Sequence, residues 1–189
     1  MLQDPGETTV RDAVYVRTSE AGDDRALTAV VHRAWTSDVG PVPLGPQELP
    51  FFNDQTQPEN VFVAQRHEQV LGYVKLRPAA MAASCGHVQQ VHGFAVDPTA
   101  QGLGIGRQLL DAARQEAIRR GARRITLRVL GTNIRAQKLY RACGYQVEGV
   151  LKGEFLLQGA YVDAVFMALD LTAEWHGPAR SRTDASASA

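Results

Sequence analysis

The chain lacks a charge excess, has little cysteine and contains no long apolar run. Its 20 Lys and Arg balance 20 Asp and Glu. Binding to nucleic acid or to a membrane surface draws on a basic surplus, so neither partner is expected. Two cysteines, Cys85 and Cys143, stand far apart. They exclude a disulfide framework and fit a reducing compartment. His87 and His92 fall on opposite faces of one strand, and His32, His67 and His176 stand alone, so no zinc spacing is present. No uninterrupted apolar stretch approaches transmembrane length. The opening "MLQDPGETTV" has neither the basic nor the apolar region of a signal peptide. A soluble cytoplasmic protein is the expectation.

What is present suits one domain. A chain of 189 residues can bury a sizeable core. Residues 1–11 are polar and unpatterned, and "TAEWHGPARSRTDASASA" ends the chain. Both read as disordered tails, 1–11 and 173–189, around a single domain at 12–172.

Within that domain β and α patterns alternate. "AVYVRTSE" reads as a first strand. "DDRALTAVVHRAW" reads as a helix with Leu27, Val30, Val31 and Ala34 on one face. Between Thr36 and Asn60 lie five prolines and two glycines, a loop with a short helix expected around "GPQELPFFND". "VFVAQ" and "VLGYVKLR" form a hairpin, and "HVQQVHGFAV" is a strand. "GIGRQLLDAARQEAIRR" is a helix, "RITLRV" a strand with Ile125, Leu127 and Val129 on one face, and "NIRAQKLYRAC" a helix. Two strands close the domain, within "QVEGVLKGEF" and "YVDAVFMALDL". The middle unit is a βαβ crossover.

The stretch "VDPTAQGLGIGRQLLDAA" holds Gly102, Gly104 and Gly106 just where a strand passes into a helix. Free N–H groups and the positive end of the helix dipole make such a turn an anion site. A Walker loop would need Lys and then Ser or Thr after Gly106, where Arg107 and Gln108 stand. A Rossmann loop would need glycine in place of Arg107 and an acid after the next strand, and "RVLGTN" has none. Gln-x-x-Gly-x-Gly fits, as Gln101, Gly104 and Gly106. A tight turn that binds nothing is the plain alternative, though each glycine near a helix costs about 1 kcal/mol.

"FAVDPTAQGLGIGRQLL" resembles the acetyl-coenzyme A loop of the GNAT superfamily of N-acetyltransferases. "TNIRAQKLYRACGYQVEG" resembles the family's second motif. "EGVLKGEFLLQGAYVDAVFMAL" resembles the last strands of members that acetylate amino acids or the amino termini of ribosomal proteins. The likeness spans about residues 14 to 170.

It implies that backbone N–H groups of Gln101, Gly102, Leu103, Gly104, Ile105 and Gly106 hold the pyrophosphate. Phe94, Ala95 and Val96 would run beside the pantetheine like a sheet edge, and Asn133 would hydrogen-bond it. Tyr140 would face the sulfur and protonate the departing thiolate. From spacing alone, Tyr140 reads as a core aromatic and Asn133 as a helix N-cap.

Acyl transfer to an amine also needs a proton acceptor. The strand "HVQQVHGFAV" carries no carboxylate. By period two, Gln90, His92, Phe94 and Val96 share a face, and His92 is the first candidate base, titrating near neutrality. A core histidine is the competing reading. Gln90 would hold a relay water, and Glu148 and Glu154 are the nearest later acids. Trp35, Phe51 and Phe52 are candidate walls for the acceptor pocket, and Asp38, Asp54 and Asp163 are candidate partners for an ammonium group. "RPAAMAASCGH" either borders that pocket or lies in solvent.

The expected fold is α/β, a GNAT-like mixed central sheet of about seven strands with about four helices. The expected activity is direct, metal-free transfer of acetyl from acetyl-coenzyme A to a primary amine of a small molecule or protein N-terminus, by a monomer or homodimer. The alternatives are a longer-chain acyltransferase and a coenzyme A-binding sensor without catalysis.

Overall fold

The structure is a computed structural model that describes residues 13–36, 39–40, 46 and 49–172. The expected tails at 1–11 and 173–189 lie outside them, as does Asp38.

The strands are β1 (Tyr15–Thr18), β2 (Val61–Arg66), β3 (Gln69–Pro78), β4 (Val88–Val96), β5 (Arg124–Leu130), β6 (Gln146–Leu157) and β7 (Ala160–Asp170). They form one mixed sheet in the order β1-β2-β3-β4-β5-β7-β6. Every neighbouring pair is antiparallel except β4 with β5. That pair is joined by α2 (Ile105–Arg119), which makes the expected βαβ crossover.

Among the described residues there are three α-helices, α1 (Asp24–Ala34), α2 and α3 (Ile134–Ala142), rather than about four. The helix expected around residues 45–54 falls partly outside the described residues. Its described part has no helix and forms a small bridged turn between Asn53 and Thr56. Pro46 and Pro50 each remove a backbone donor there. No helix among the described residues is long and apolar enough to cross a membrane.

The sheet separates two apolar clusters. On one face Ile105, Leu109, Leu110, Ala113 and Ala117 of α2 pack on Val74, Leu76, Ile125 and Leu127, with Tyr140 and Tyr145 alongside. On the other, Leu27 and Val30 of α1 pack on Val61, Val63 and Tyr73. The apolar stripes visible in the sequence are the surfaces that meet the sheet.

Two irregularities shape the centre. Leu76 pairs with Val91 and Lys75 with Gly93, so His92 is an extra residue, a β-bulge in β4. In addition, β4 and β5 pair only from Val88↔Arg124 to Val91↔Leu127. Beyond that point β4 continues with β3 to Val96, and β5 continues with β7 to Leu130. The two parallel strands therefore part, and the sheet opens.

Candidate active site

The opening between β4 and β5 is the mouth of a cleft of about 960 Å³. One end reaches the glycine turn and the N-terminus of α2, and the other reaches α1, β6 and β7. Of the expected site residues, Tyr140, His92, Phe94, Ala95, Val96, Gln101, Gly102, Gly104, Ile105, Gly106 and Asn133 all line it. Leu103 does not; its side chain is 53% exposed, which leaves its backbone as the part available to a ligand.

The turn begins at Asp97. This carboxylate is 1% exposed and accepts bonds from the Thr99 N–H and hydroxyl, at 3.0 and 2.7 Å, and from Arg33 at 2.6 Å. Burial alone would raise its pKa. The Thr99 bonds and the Arg33 guanidinium outweigh that and hold it below the usual carboxylate value. The chain after this anchor takes positive φ at Gly102 (87°) and Gly104 (76°), and Gly104 caps α2. The N–H groups from Gly102 to Gly106 find no backbone acceptor among the described residues. They are what a di-anion would need.

The glycines have distinct physical reasons. At Gly102 and Gly104 an added Cβ would meet nothing within 4 Å, so the positive φ is what demands glycine. At Gly106 the φ is ordinary, but a Cβ would lie 2.9 Å from Leu139 Cδ2 and 3.3 Å from Phe94 Cζ. That glycine lets the start of α2 approach α3 and β4.

Arg107 and Arg135 also line the cleft at this end, and Arg135 donates to the Gln101 side chain, tying α3 to the turn. Neither was singled out in the sequence, where both look like solvated helix charges. Asn133 is the N-cap of α3, its side-chain oxygen accepting from the Ala136 N–H at 3.0 Å. The amide nitrogen of the same side chain remains as a donor to the cleft, so capping and ligand contact are compatible.

Tyr140 is 6% exposed and lies between Phe94 and Tyr145, with ring centroids 6.0 and 5.8 Å away. Burial pushes its phenol pKa above the ordinary tyrosine value, with smaller contributions from Cys143 and Tyr73. The hydroxyl therefore stays protonated throughout the neutral range, as a donor must.

His92 is exposed on the cleft wall. Two expectations for it need correction. The bulge breaks the period of two: Gln90 faces the α1 side with Arg77, whereas Phe94 and Val96 pack on the α2 side. The imidazole pKa is not near neutrality but held at about 4, by desolvation first and then by Arg77, Lys75 and Arg128. It is neutral at pH 7, able to accept a proton but a weak base.

Of the other candidates, Gln90 lines the cleft and most of the rest fall outside it. Phe51 and Phe52 pack edge-on, and Phe51 packs on Tyr73, within the α1-side cluster; Trp35 does line the cleft. Glu148 pairs with Arg124, Glu154 lies 3.6 Å from Arg128, and Asp163 binds Lys152 at 2.8 Å. Asp54 is exposed. Of "RPAAMAASCGH" only Arg77 reaches the cleft. Sequence reading missed the groups that do line the acceptor end: Tyr73, Arg77, Arg128, Phe155 and Phe166. Among the described residues no Asp or Glu lines the cleft, and no three His, Cys, Asp or Glu converge as metal ligands.

Comparison with known proteins agrees with this architecture. The model of the Acetyltransferase (GNAT) family matches residues 27–145. A mycothiol acetyltransferase of Acidothermus cellulolyticus is 31% identical over 151 residues, covering 73% of this chain and 46% of that protein. The chain thus spans about half the length of such relatives. The ribosomal protein bS18-alanine N-acetyltransferase of Escherichia coli is 28% identical over 121 residues, covering 60% of this chain and 80% of the relative. The yncA structure from Salmonella typhimurium, solved with its cofactor acetyl-CoA, superposes with a TM-score of 0.66. Its identity is 20%, over 88% of this chain and 99% of that one.

Proposed function

The chain belongs to the acetyltransferase (GNAT) family, and from that premise we propose that it transfers acetyl from acetyl-coenzyme A directly to a primary amine. The observation that carries the reading is the split between β4 and β5, with a bare helix N-terminus at one end and a protonated phenol on its wall. The residues present fit the co-substrate. The N–H groups of Gly102 to Gly106, with Arg107 and Arg135, suit a pyrophosphate. The parted edges of β4 and β5 offer unpaired backbone groups to an amide-bearing arm. Asn133 adds a side-chain donor.

Acetyl-coenzyme A supplies an activated acyl carbon and a thiolate leaving group. The acceptor nitrogen forms the new C–N bond as the C–S bond breaks. One amine proton leaves to His92 or to a water held near Gln90. Tyr140 donates its hydroxyl proton to the departing sulfur. The products are an acetamide and free coenzyme A thiol.

A second reading, a coenzyme A-binding module without catalysis, is favoured by one feature: no carboxylate lines the cleft among the described residues. A panel of primary amines, assayed for coenzyme A thiol release, separates the two. Amine-dependent release is expected. Tight acetyl-coenzyme A binding with no release above the amine-free rate would overturn the enzymatic reading and leave the module.

A further inference from the structure

The acceptor end of the cleft is cationic. Arg77 on β3, Gln90 on β4 and Thr126 on β5 lie in one cross-strand row on the α1 side of the sheet. Arg128 stands two residues beyond Thr126 on the same face. The two arginines therefore straddle β4 at roughly two strand spacings, about 10 Å between backbones. Both line the cleft, with His92 between them.

Neither guanidinium is used up by the fold. Arg77 has no carboxylate partner among the described residues, and its Nε is buried without a hydrogen-bond acceptor. A buried donor left unpaired is costly unless a ligand or water satisfies it. Arg128 lies over the rings of Phe155 and Phe166, 4.8 and 5.9 Å from their centroids. Stacking fixes the plane of a guanidinium and leaves its in-plane N–H fork available. Among the described residues its acidic partner is Glu154, a loose and partly exposed contact at 3.6 Å. Lys75, by contrast, is engaged by Thr56 and lies over Phe51.

We infer that the acceptor carries an oxyanion close to its amine, a carboxylate or phosphonate, seated between Arg77 and Arg128. This rests on the acyl-transfer reading above and narrows its substrate class. The charges then divide sensibly. The arginines take the oxyanion, while their field disfavours the ammonium form of the acceptor and so favours the neutral nitrogen that attacks. The same oxyanion would offset the part of the His92 depression that the cations add to desolvation, making the imidazole a better proton acceptor once the acceptor is bound.

The test uses matched probes: α-amino acids, their primary amides and aminoalkylphosphonates, with the full chain and saturating acetyl-coenzyme A. The amide amine has the lower pKa and is the more nucleophilic at pH 7, so the comparison is biased against the inference. Acids or phosphonates are expected to exceed amides by at least about tenfold in kcat/KM. A charge-assisted bond lost at one arginine is worth roughly tenfold to a hundredfold. Arg77→Gln should therefore collapse that preference, and Arg77→Lys should keep part of it. Melting curves verify that each variant folds. Amides accepted as well as acids, or a preference unchanged in folded Arg77→Gln, would overturn the inference. Calorimetric titration of the same probes into the coenzyme A complex gives an answer independent of turnover. Acid binding that Arg77→Gln abolishes sustains the oxyanion seat even if no amine is acetylated. Equal or absent binding of acids and amides removes it while leaving acyl transfer to other amines open.

Discussion

Replacing Tyr140 by Phe isolates one oxygen atom. The ring sits against Phe94 and Tyr145 at 6.0 and 5.8 Å, and a phenyl ring keeps both contacts. The hydroxyl makes no hydrogen bond to another described residue, so removing it strands no partner. The stability change should stay within about 0.5 kcal/mol, a Tm shift of about 2 °C or less for a chain of this size. The effect on rate should be far larger. A positioned general acid contributes typically 10²–10⁴-fold, and water replaces part of it. We expect kcat to fall by about tenfold to a thousandfold, equal to ~1.4 to ~4 kcal/mol at 1.36 kcal/mol per decade. The loss should appear in kcat and kcat/KM alike, because the bond to sulfur strengthens only as the thiolate departs. Burial raises the phenol pKa, so the acid form persists beyond the ordinary tyrosine value of about 10 and no alkaline limb from this group should appear below it. Steady-state thiol release and a melting curve on one preparation decide the matter. A folded Tyr140→Phe protein with unchanged kcat would show that water protonates the leaving group and that Tyr140 is only a core aromatic.

Three further outcomes follow from the same geometry. If His92 accepts the amine proton, the acid limb of kcat/KM that it governs should lie near pH 4 in the free enzyme, because desolvation and then the neighbouring cations depress its pKa; any limb nearer neutrality that survives His92→Ala belongs to another group, such as the acceptor ammonium. Gly104→Ala should lower stability by about 1–2 kcal/mol from backbone strain alone, whereas Gly106→Ala should act through its neighbour. Only Gly106→Ala should therefore couple to Leu139→Ala, by at least ~0.5 kcal/mol in a double-mutant cycle read by denaturant melts. The Asp97 carboxylate has a depressed pKa, so its stabilising contribution is present above the unfolded value of about 3.9 and is lost as pH falls through the folded value. Wild type should lose that increment in acid melts below about pH 4, and Asp97→Ala should be destabilised by ~1–3 kcal/mol at neutral pH with a flatter acid profile.

The element order was legible in the sequence because each segment carries its own period. Leu27 and Val30, or Ile125 and Leu127, mark a buried face without reference to anything distant. The glycine turn was legible too, since a missing side chain is visible in one dimension. The bulge was not. One extra residue in β4 has no compositional signature, and its only trace is the pairing of Lys75 with Gly93 across a neighbouring strand. Missing it misassigned the face of Gln90, because a one-residue shift inverts every later side chain. Arg77 and Arg128 were invisible as a pair for a related reason. They are 51 positions apart, on strands separated by β4, and only the register joins them. Phe155 and Phe166, which hold Arg128, belong to a hairpin that read as ordinary sheet. His92 was found as a residue, but its pKa depends on desolvation by the surrounding fold and then on cations contributed by β3 and β5, which no inspection of β4 could supply.

The position of the cleft follows from topology more than from any one side chain. A parallel pair needs a crossover, and the crossover helix must start where the first strand ends. That puts the N-terminus of α2 at the carboxyl end of β4, beside the carboxyl end of β5. Ligands of open α/β sheets favour this location, where chain direction switches and helix N–H groups converge. Here β4 is held on its far side by β3 and β5 by β7, each by an antiparallel ladder that continues past the last shared pair. The two strands twist with different partners, so they separate after Val91 and Leu127. The bulge at His92 falls at that point of separation, the first residue past the last β4–β5 pair. One inserted residue thus coincides with the loss of pairing, exposes two strand edges to a ligand and turns Phe94 toward α2 while Gln90 keeps to the acceptor side. Deleting His92 should therefore do more than remove an imidazole. It should restore regular alternation with Gly93 still opposite Lys75 and Phe94 and Val96 still in the α2 core. The variant should fold, lengthen the β4–β5 pairing, narrow the opening and bind acetyl-coenzyme A more weakly than His92→Ala. A deletion variant that folds and binds acetyl-coenzyme A as well as His92→Ala would refute this account of the bulge.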